Sequence, residues 1–117
     1  MASPIDPQAI EELRAMNPGD DSFLRELIQI YLEDSPQRIA EIELSLEQAD
    51  AIRLTRAAHS LKGSCSNFGA SELRAVSERI EKLGRQGALG EVPARLPELK
   101  TAFAQVKADL EALISAG

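Results

Sequence analysis

Apolar side chains recur at steps of three and four residues along most of the chain, which is the spacing of one face of an α-helix. The alternation of apolar and polar residues that is typical of a β-strand does not occur. The pattern predicts six helical segments, at about residues 7–16, 23–35, 39–49, 51–68, 70–86 and 93–113. Short connections favour antiparallel neighbours, so we expect an all-α fold: an antiparallel four-helix bundle with a short additional N-terminal helix.

Residues that begin or end helices stand at the predicted boundaries. Asp6 and Asp50 can each cap the helix that follows, because a carboxylate accepts hydrogen bonds from the free N–H groups of a first turn. Gly69 suits the end of the fourth helix. Pro36 is expected to end or kink the second helix, since proline lacks the backbone N–H group. Pro97 lies in the first turns of the last helix or delays its start.

The length of 117 residues suits a single domain over residues 1–117, with the short helix at about 7–16 and the bundle at about 21–115. Aromatic residues make up only 3% of the chain, so Leu, Ile, Ala and Val must form most of the core. Cys65 is the only cysteine, which excludes an internal disulfide. It lies on an apolar stripe, and we expect it to pack in the core.

Charge and hydropathy narrow the range of partners. The N-terminal residues do not resemble a signal peptide, and no segment reaches the ~20 apolar residues that span a bilayer. We therefore expect a cytoplasmic protein with no membrane partner. The net charge of -6 argues against nucleic-acid binding. Positive charge is concentrated in residues 51–86, which hold 7 basic and 3 acidic side chains.

The only histidine, His59, is predicted to face away from the core of the fourth helix. The apolar stripe of that helix consists of Leu54, Ala58, Leu61, Cys65 and Phe68. At about 100° per residue, His59 lies about 140° from the first residue of this stripe. The residues that share its side of the helix are Thr55, Lys62, Gly63 and Ser66, with Arg56 at the margin. These residues are expected to form a surface patch.

The residues one turn beyond His59 suggest a site that another protein approaches. Gly63 weakens a helix interior by ~1 kcal/mol relative to alanine, and the apolar stripe does not require it. A missing side chain there leaves clearance for a partner. Lys62 can place a cation near an anion on the imidazole ring. An exposed imidazole can act as a nucleophile towards a phosphoryl group, and that transfer depends mainly on alignment and charge neutralisation.

Glu81 is the predicted neighbour of His59 on the next helix. If the chain reverses at about Gly69 and returns antiparallel, the position opposite His59 is near residue 80. Glu81 could then accept a hydrogen bond from the ring nitrogen that does not react, and so orient the ring. The alternative is a solvated helix carboxylate with no role.

The segment AAHSLKGSCSNFGA, residues 57–70, resembles the signature of histidine-containing phosphotransfer (HPt) domains of two-component phosphorelays. The preceding segment FLRELIQIYLEDSPQRIAEIELSLEQAD resembles the leading helices of that family, and ELRAVSERIEKLGRQG resembles its helix after the histidine. The resemblance implies a helical bundle whose exposed histidine accepts a phosphoryl group from a receiver-domain aspartate and passes it to another receiver, or the reverse.

The resemblance also implies roles for individual residues. His59 matches the phosphorylated histidine, Lys62 the charge-stabilising lysine, and Gly63 the small residue that admits the receiver. Glu81 stands where several members place a glutamine that hydrogen-bonds the imidazole. A carboxylate there would orient the ring but repel an approaching phosphate.

Docking residues are expected on the first helix and beside the histidine. Ser64 and Asn67 match positions that commonly carry small or polar groups in the family. The first helix supplies part of the docking surface in some relatives, which makes Ile10 and Leu13 candidates if they are exposed. Both could equally pack onto the bundle.

The leading hypothesis is therefore a monomeric phosphorelay intermediate without independent catalytic turnover. Its expected partners are receiver domains of response regulators and hybrid histidine kinases. We expect no cofactor or metal site in this chain, with Mg²⁺ held by the partner receiver domain. The alternative is a helical-bundle adaptor that docks receiver or kinase domains without carrying phosphate. An independent enzyme is disfavoured, because the sequence has no second histidine, no Cys/His pair and no glycine-rich phosphate loop.

Overall fold

Five α-helices account for most of residues 4–116, the part of the chain described by this computed structural model. The helices are α1 (Pro7–Ala15), α2 (Ser22–Glu47), α3 (Ala51–Cys65), α4 (Ser71–Arg85) and α5 (Leu96–Ala116). Helices α2 to α5 form the antiparallel four-helix bundle that the apolar pattern predicts, and α1 packs against α2 and the end of α3. Within the described residues, no helix is long and apolar enough to cross a membrane.

Helix α2 corrects the prediction of two separate helices at residues 23–35 and 39–49, because it continues through Pro36. The buried residues of α2 keep helical spacing on both sides of the proline: Leu24, Ile28, Tyr31, Ser35, Ile39, Ile42 and Ser45. If the helix broke at Pro36, the buried residues on one side of the proline would no longer face the core. Burial of several large apolar side chains outweighs the ~3 kcal/mol that a proline costs inside a helix.

The predicted helix ends are largely confirmed. The Asp6 carboxylate accepts a hydrogen bond from the Gln8 N–H (3.0 Å), and the Asp50 carboxylate accepts one from the Arg53 N–H (3.1 Å). The histidine helix is shorter than predicted: α3 ends at Cys65 and continues as a single 3₁₀ turn over Ser66–Phe68. Two more 3₁₀ turns, over Leu89–Glu91 and Pro93–Arg95, precede α5, and Pro97 lies in the first turn of that helix.

Gly69 reverses the chain between α3 and α4. Its φ of 62° lies in the left-handed region that side chains rarely adopt. A side chain at this position would also collide with Asp6, whose backbone N–H donates to the Phe68 carbonyl (2.9 Å). The reversal therefore ties the start of the chain to the end of α3.

Close packing of α3 against α4 determines which residues of the two helices lie opposite each other. Gly84 lies against Thr55 and Leu54, which occupy the space that a larger residue would need. Because the helices run antiparallel, this contact places residue 81 of α4 beside residue 59 of α3. The predicted core position of Cys65 is confirmed: its side chain is fully buried, and its Sγ lies 3.8 Å from the Tyr31 hydroxyl.

Candidate functional site

His59 projects from α3 as the sequence predicts, with 63% of its side chain exposed. One turn further on, Gly63 is exposed, and a Cβ atom added there would meet no atom within 4 Å. Its presence in the helix is therefore not explained by packing. The exposed ring and the open glycine form one continuous surface on α3.

Glu81 connects the residues around His59. Its side chain is only 1% exposed, yet it contacts three basic groups. Glu81 Oε2 lies 2.7 Å from His59 Nδ1 and accepts a 2.7 Å hydrogen bond from Arg85 Nη2. Glu81 Oε1 lies 2.7 Å from Lys62 Nζ. The hydrogen bond to the ring that the antiparallel return suggested is present, and the solvated alternative is wrong.

The amphipathic pattern of α4 explains how a carboxylate comes to be buried there. Buried residues of α4 recur at helical spacing, and Glu81 occupies one of these inward positions next to Ile80. A buried carboxylate is costly unless cations and hydrogen bonds compensate it. Lys62 and Arg85 provide both, so the sequence can retain Glu81 within the bundle.

The Glu81 carboxyl is held in its ionised form. Burial by itself raises its pKa, but hydrogen bonds from Lys62 and His59, together with the charges of Lys62 and Arg85, outweigh this effect and lower the pKa below the ordinary value of 4.5. Two cations thus face one carboxylate. The repulsion that a carboxylate would exert on an approaching phosphate is compensated within the site.

The ionised state of Glu81 also determines the tautomer of His59. An ionised carboxylate can only accept hydrogen bonds, so the Nδ1 atom of His59 must carry the proton and donate. In the neutral ring, Nε2 is then the nitrogen with a free lone pair. The site therefore contains an oriented imidazole with one nitrogen held by the protein and the other available for reaction.

The remaining predicted residues differ in their placement. Ser66 and Asn67 are exposed at the end of α3, whereas Ser64 is half-buried and donates from its hydroxyl to the Leu61 carbonyl (2.9 Å). Lys62 is less exposed than its position on the helix suggests, at 19%, because it turns towards Glu81. Arg56 is exposed.

A cavity of about 390 Å³ lies directly beside the imidazole. It is lined by Thr55, Arg56, His59, Ser60, Glu81 and Arg85. Arg85 is not among the residues that the sequence pattern predicts at the site. The spacing contains a signal that could have identified it, since residues four apart on a helix are neighbours and Arg85 follows Glu81 by four.

Ile10 does not meet the condition on which it was a docking candidate. Its side chain is 3% exposed and belongs to the core, so the alternative of packing onto the bundle is the correct one. Leu13 is half-buried against the same core. The reason is that the apolar face of α1 turns inward to cover the ends of α2 and α3, and that burial leaves it unavailable to a partner.

Three large apolar side chains in the N-terminal half of α2 or shortly before it are exposed: Met16 at 70%, Phe23 at 39% and Ile30 at 55%. Phe23 shares a small surface cavity with Met16, and it lies seven residues before Ile30 on α2. Residues seven apart on a helix share a face. We call these three residues the apolar patch.

The contacts of α2 show which neighbour the apolar patch adjoins. Glu41 follows Phe23 by eighteen residues, about five helical turns, and so lies on the same side of α2. The Glu41 carboxylate pairs with Arg53 of α3 (3.3 Å), whereas Arg25, on another side of α2, donates to the Ile114 carbonyl of α5. The patch therefore lies beside α3. Since α2 and α3 are antiparallel, the patch is expected at the level of the C-terminal end of α3 and the 3₁₀ turn that contains Asn67.

Within residues 4–116, no group of three or more histidine, cysteine or acidic side chains is arranged to hold a metal ion. The candidate site consequently consists of the exposed imidazole, its buried carboxylate, two basic partners and a neighbouring cavity. This arrangement supplies an oriented nucleophile with positive charge beside it.

Comparison with known proteins agrees with this geometry. The family model described as Hpt domain matches residues 26–115. The crystal structure of histidine-containing phosphotransfer protein B from Pseudomonas aeruginosa PAO1 superposes with a TM-score of 0.91 and 26% identity, covering 100% of this chain and 99% of that chain.

Curated relatives point in the same direction. Multistep phosphorelay regulator 1 of Schizosaccharomyces pombe is 32% identical over 81 residues, which make up 68% of this chain and 28% of that protein. Histidine-containing phosphotransfer protein 4 of Arabidopsis thaliana is 29% identical over 85 residues, 71% of this chain and 67% of that protein. This chain spans less than half the length of several relatives it matches. The matched residues include the helices that build the site, and the chain belongs to the Hpt domain family.

Proposed function

We propose that this protein is a phosphorelay intermediate in two-component signal transduction, in which His59 carries the phosphoryl group. The observation that carries the proposal is the hydrogen bond from the exposed His59 ring to the buried Glu81 carboxylate, because it leaves Nε2 oriented outward as a nucleophile. Family membership and the names of the relatives support the same role.

The chemistry follows from the protonation state of the ring. The Nε2 lone pair attacks the phosphorus of a receiver's aspartyl phosphate, the N–P bond forms, and the P–O bond to the aspartate breaks with departure of its carboxylate. The Nδ1 proton stays in place, so the phosphorylated ring becomes cationic and the Glu81 carboxylate balances it. Mg²⁺ would be held by the receiver domain. The reverse reaction delivers the group to a second receiver, and the protein shows no turnover of its own.

A transfer experiment tests the proposal. A phosphorylated receiver domain with Mg²⁺ is mixed with the protein, and acid-labile phosphate on the protein is measured for the unaltered chain and for His59→Gln. We expect phosphorylation of the unaltered chain and none of the variant. Several receivers must be tried, and failure of all of them, or phosphate that persists in His59→Gln, would contradict the proposal. Receiver binding without any phosphorylation would favour the adaptor function.

The apolar patch is the proposed docking surface for the receiver. It adjoins the end of α3 beyond Gly63, so a domain seated on it would also lie over the open glycine and reach His59. Exposed aromatic and aliphatic side chains in one patch are typical of protein interfaces. We propose that Met16, Phe23 and Ile30 contact the receiver directly.

Placing a charge in the patch should weaken docking. We expect Ile30→Glu to reduce receiver affinity at least tenfold, about 1.4 kcal/mol, because the carboxylate would be desolvated at the interface. Leu44→Glu is the matched control: Leu44 is 40% exposed on the same helix, at the end away from the patch. Binding is measured by titration calorimetry. Equal affinities for the two variants would exclude the patch as the docking surface.

A further inference from the structure

We infer that Arg56, rather than Lys62, supplies the cation that holds the phosphoryl group on His59. The inference rests on the proposed function of His59 as phosphoryl carrier. Three basic side chains surround the ring. Lys62 and Arg85 are bound to Glu81, and Arg56 is not.

Lys62 is already engaged by a buried partner. Its ammonium group lies 2.7 Å from Glu81 Oε1, and its side chain is 19% exposed. Glu81 is 1% exposed, so drawing the ammonium away would leave a buried carboxylate with fewer partners. Lys62 therefore serves to balance Glu81 and is poorly available to a phosphoryl group.

Arg85 is also bound to Glu81, although its side chain is 61% exposed and lines the same cavity. It donates to Glu81 Oε2, the same oxygen that lies 2.7 Å from His59 Nδ1. Its guanidinium thus lies on the side of the ring nitrogen that stays protonated. Its contribution is to complete the neutralisation of the carboxylate that orients the ring.

Arg56, in contrast to Lys62 and Arg85, is not bound to Glu81. It lies three residues before His59, about one helical turn away and about 60° around α3. Its side chain is exposed and lines the cavity that His59 borders. Within residues 4–116, no carboxylate forms an ion pair with the Arg56 guanidinium. All of its N–H donors are therefore available to an anion that enters the cavity.

Guanidinium chemistry fits that anion. A phosphoryl group bound through nitrogen presents three oxygens with a net negative charge, and the planar fork of arginine can donate two parallel hydrogen bonds to such oxygens. As the N–P bond forms and the P–O bond to the receiver's aspartate breaks, Arg56 would donate to the transferred oxygens. It would thereby favour the phosphohistidine over return of the group to the receiver.

The experiment compares four proteins: the unaltered chain, Arg56→Ala, Arg56→Lys and Arg53→Ala. Arg53 is the control because it lies on the same helix, has a 41% exposed side chain and pairs with Glu41 on the side of α2. Each protein is equilibrated with a phosphorylated receiver and Mg²⁺, and the ratio of phosphohistidine to phosphoaspartate is measured. Each is also phosphorylated with phosphoramidate and its ³¹P resonance recorded without receiver.

We expect Arg56→Ala to lower the ratio about three- to tenfold, as for loss of hydrogen bonds to a charged group that is partly exposed to water. Arg56→Lys should restore part of the ratio, and Arg53→Ala should leave it unchanged. The ³¹P resonance should move in Arg56→Ala and not in Arg53→Ala, which separates contact with the phosphoryl group from contact with the receiver.

The two possible failures are distinguishable. Absence of acid-labile phosphate on the unaltered chain, from both the receiver and phosphoramidate, would contradict the proposed function. Normal phosphorylation of the unaltered chain, with Arg56→Ala matching Arg53→Ala in both the ratio and the ³¹P resonance, would overturn the role of Arg56 alone.

Discussion

At the scale of single residues, the position of Glu81 decides what each neighbouring cation does. The sequence predicts separate roles for Lys62 and Glu81, the first as a cation for the phosphate and the second as a hydrogen-bond partner for the His59 ring. In the folded protein the Lys62 ammonium binds the Glu81 carboxylate, and Arg85 joins the same carboxylate. The basic groups that face an incoming phosphate therefore cannot be identified from their distance to His59 along the chain.

Replacing Glu81 tests this network through stability. Because the pKa of Glu81 is lower in the folded state than in the unfolded chain, its ionic contacts stabilise the fold above the unfolded pKa, and this stabilisation is lost as the pH falls through the folded pKa. We expect Glu81→Gln to lower the free energy of unfolding at pH 7 by roughly 1–3 kcal/mol, since Lys62 and Arg85 lose an ionised partner. The difference from the unaltered protein should shrink below about pH 4.5.

Urea denaturation across a pH series measures the difference in the free energy of unfolding between Glu81→Gln and the unaltered protein, and how that difference depends on pH. Glu72→Gln is a suitable control because Glu72 is exposed in the first turn of the same helix. A Glu81→Gln difference that stays constant from pH 7 to well below pH 4.5 would show that the carboxylate is not stabilised by charge.

At the scale of helices, the connection between α2 and α3 contains a backbone conformation that its residue does not favour. Ala49, two residues after the last residue of α2, has a φ of 54°, and the N–H of Asp50 donates to the Ser45 carbonyl (2.8 Å). This is the hydrogen-bond pattern of a helix C-terminus that usually carries glycine. The short connection turns the chain so that α3 runs back along α2, and Ala49 is strained in this turn.

Ala49→Gly should therefore stabilise the protein. A left-handed conformation costs a residue with a Cβ atom ~1–2 kcal/mol, part of which is offset by the greater freedom of glycine in the unfolded chain. We expect a gain of about 0.5–1 kcal/mol in the free energy of unfolding, measured by urea denaturation. The same substitution at Ala40, exposed within α2, should instead destabilise by about 1 kcal/mol. Destabilisation by both substitutions would contradict the strain at Ala49.

At the scale of the whole molecule, one core runs through the bundle and protects Cys65. The thiol is fully buried, and burial raises its pKa to about 11. Tyr31 and Phe68 pack edge to face beside it, with ring centroids 5.2 Å apart. The thiol is thus both inaccessible and protonated at neutral pH.

Cys65 is expected to report on opening of the bundle. With a thiol reagent at pH 7.5, labelling should be slow in the folded protein, at a rate that follows the free energy of unfolding, and rapid in concentrated urea. Ala49→Gly, if it stabilises the fold, should slow the labelling further. Rapid labelling of a protein that keeps its helical circular dichroism would mean that the end of α3 opens locally.

The features that the sequence predicts correctly depend on local interactions. Helix caps at Asp6 and Asp50, the left-handed Gly69 and the outward direction of His59 depend on residues within one or two turns, and each follows from its neighbours in the chain. The helix break predicted at Pro36 is absent because burial of the apolar stripe on both sides of the proline overrides its local preference. The exposure of Ile10 could not be judged, since it depends on whether α1 folds back onto the bundle.

The helical fold class, the surface that carries His59 and Gly63, and the candidate nucleophile follow from the amino-acid pattern, because periodic spacing and helix geometry are properties of one segment at a time. Only the packing of the helices shows that Lys62 and Arg85 bind Glu81, that Arg56 has no ion-pair partner within residues 4–116, and that the Ile10 side chain is buried while Phe23 and Ile30 are exposed. Those outcomes depend on how closely α3 and α4 approach at Gly84 and on which face each helix buries. Such distances between helices are set by the packing of the whole core.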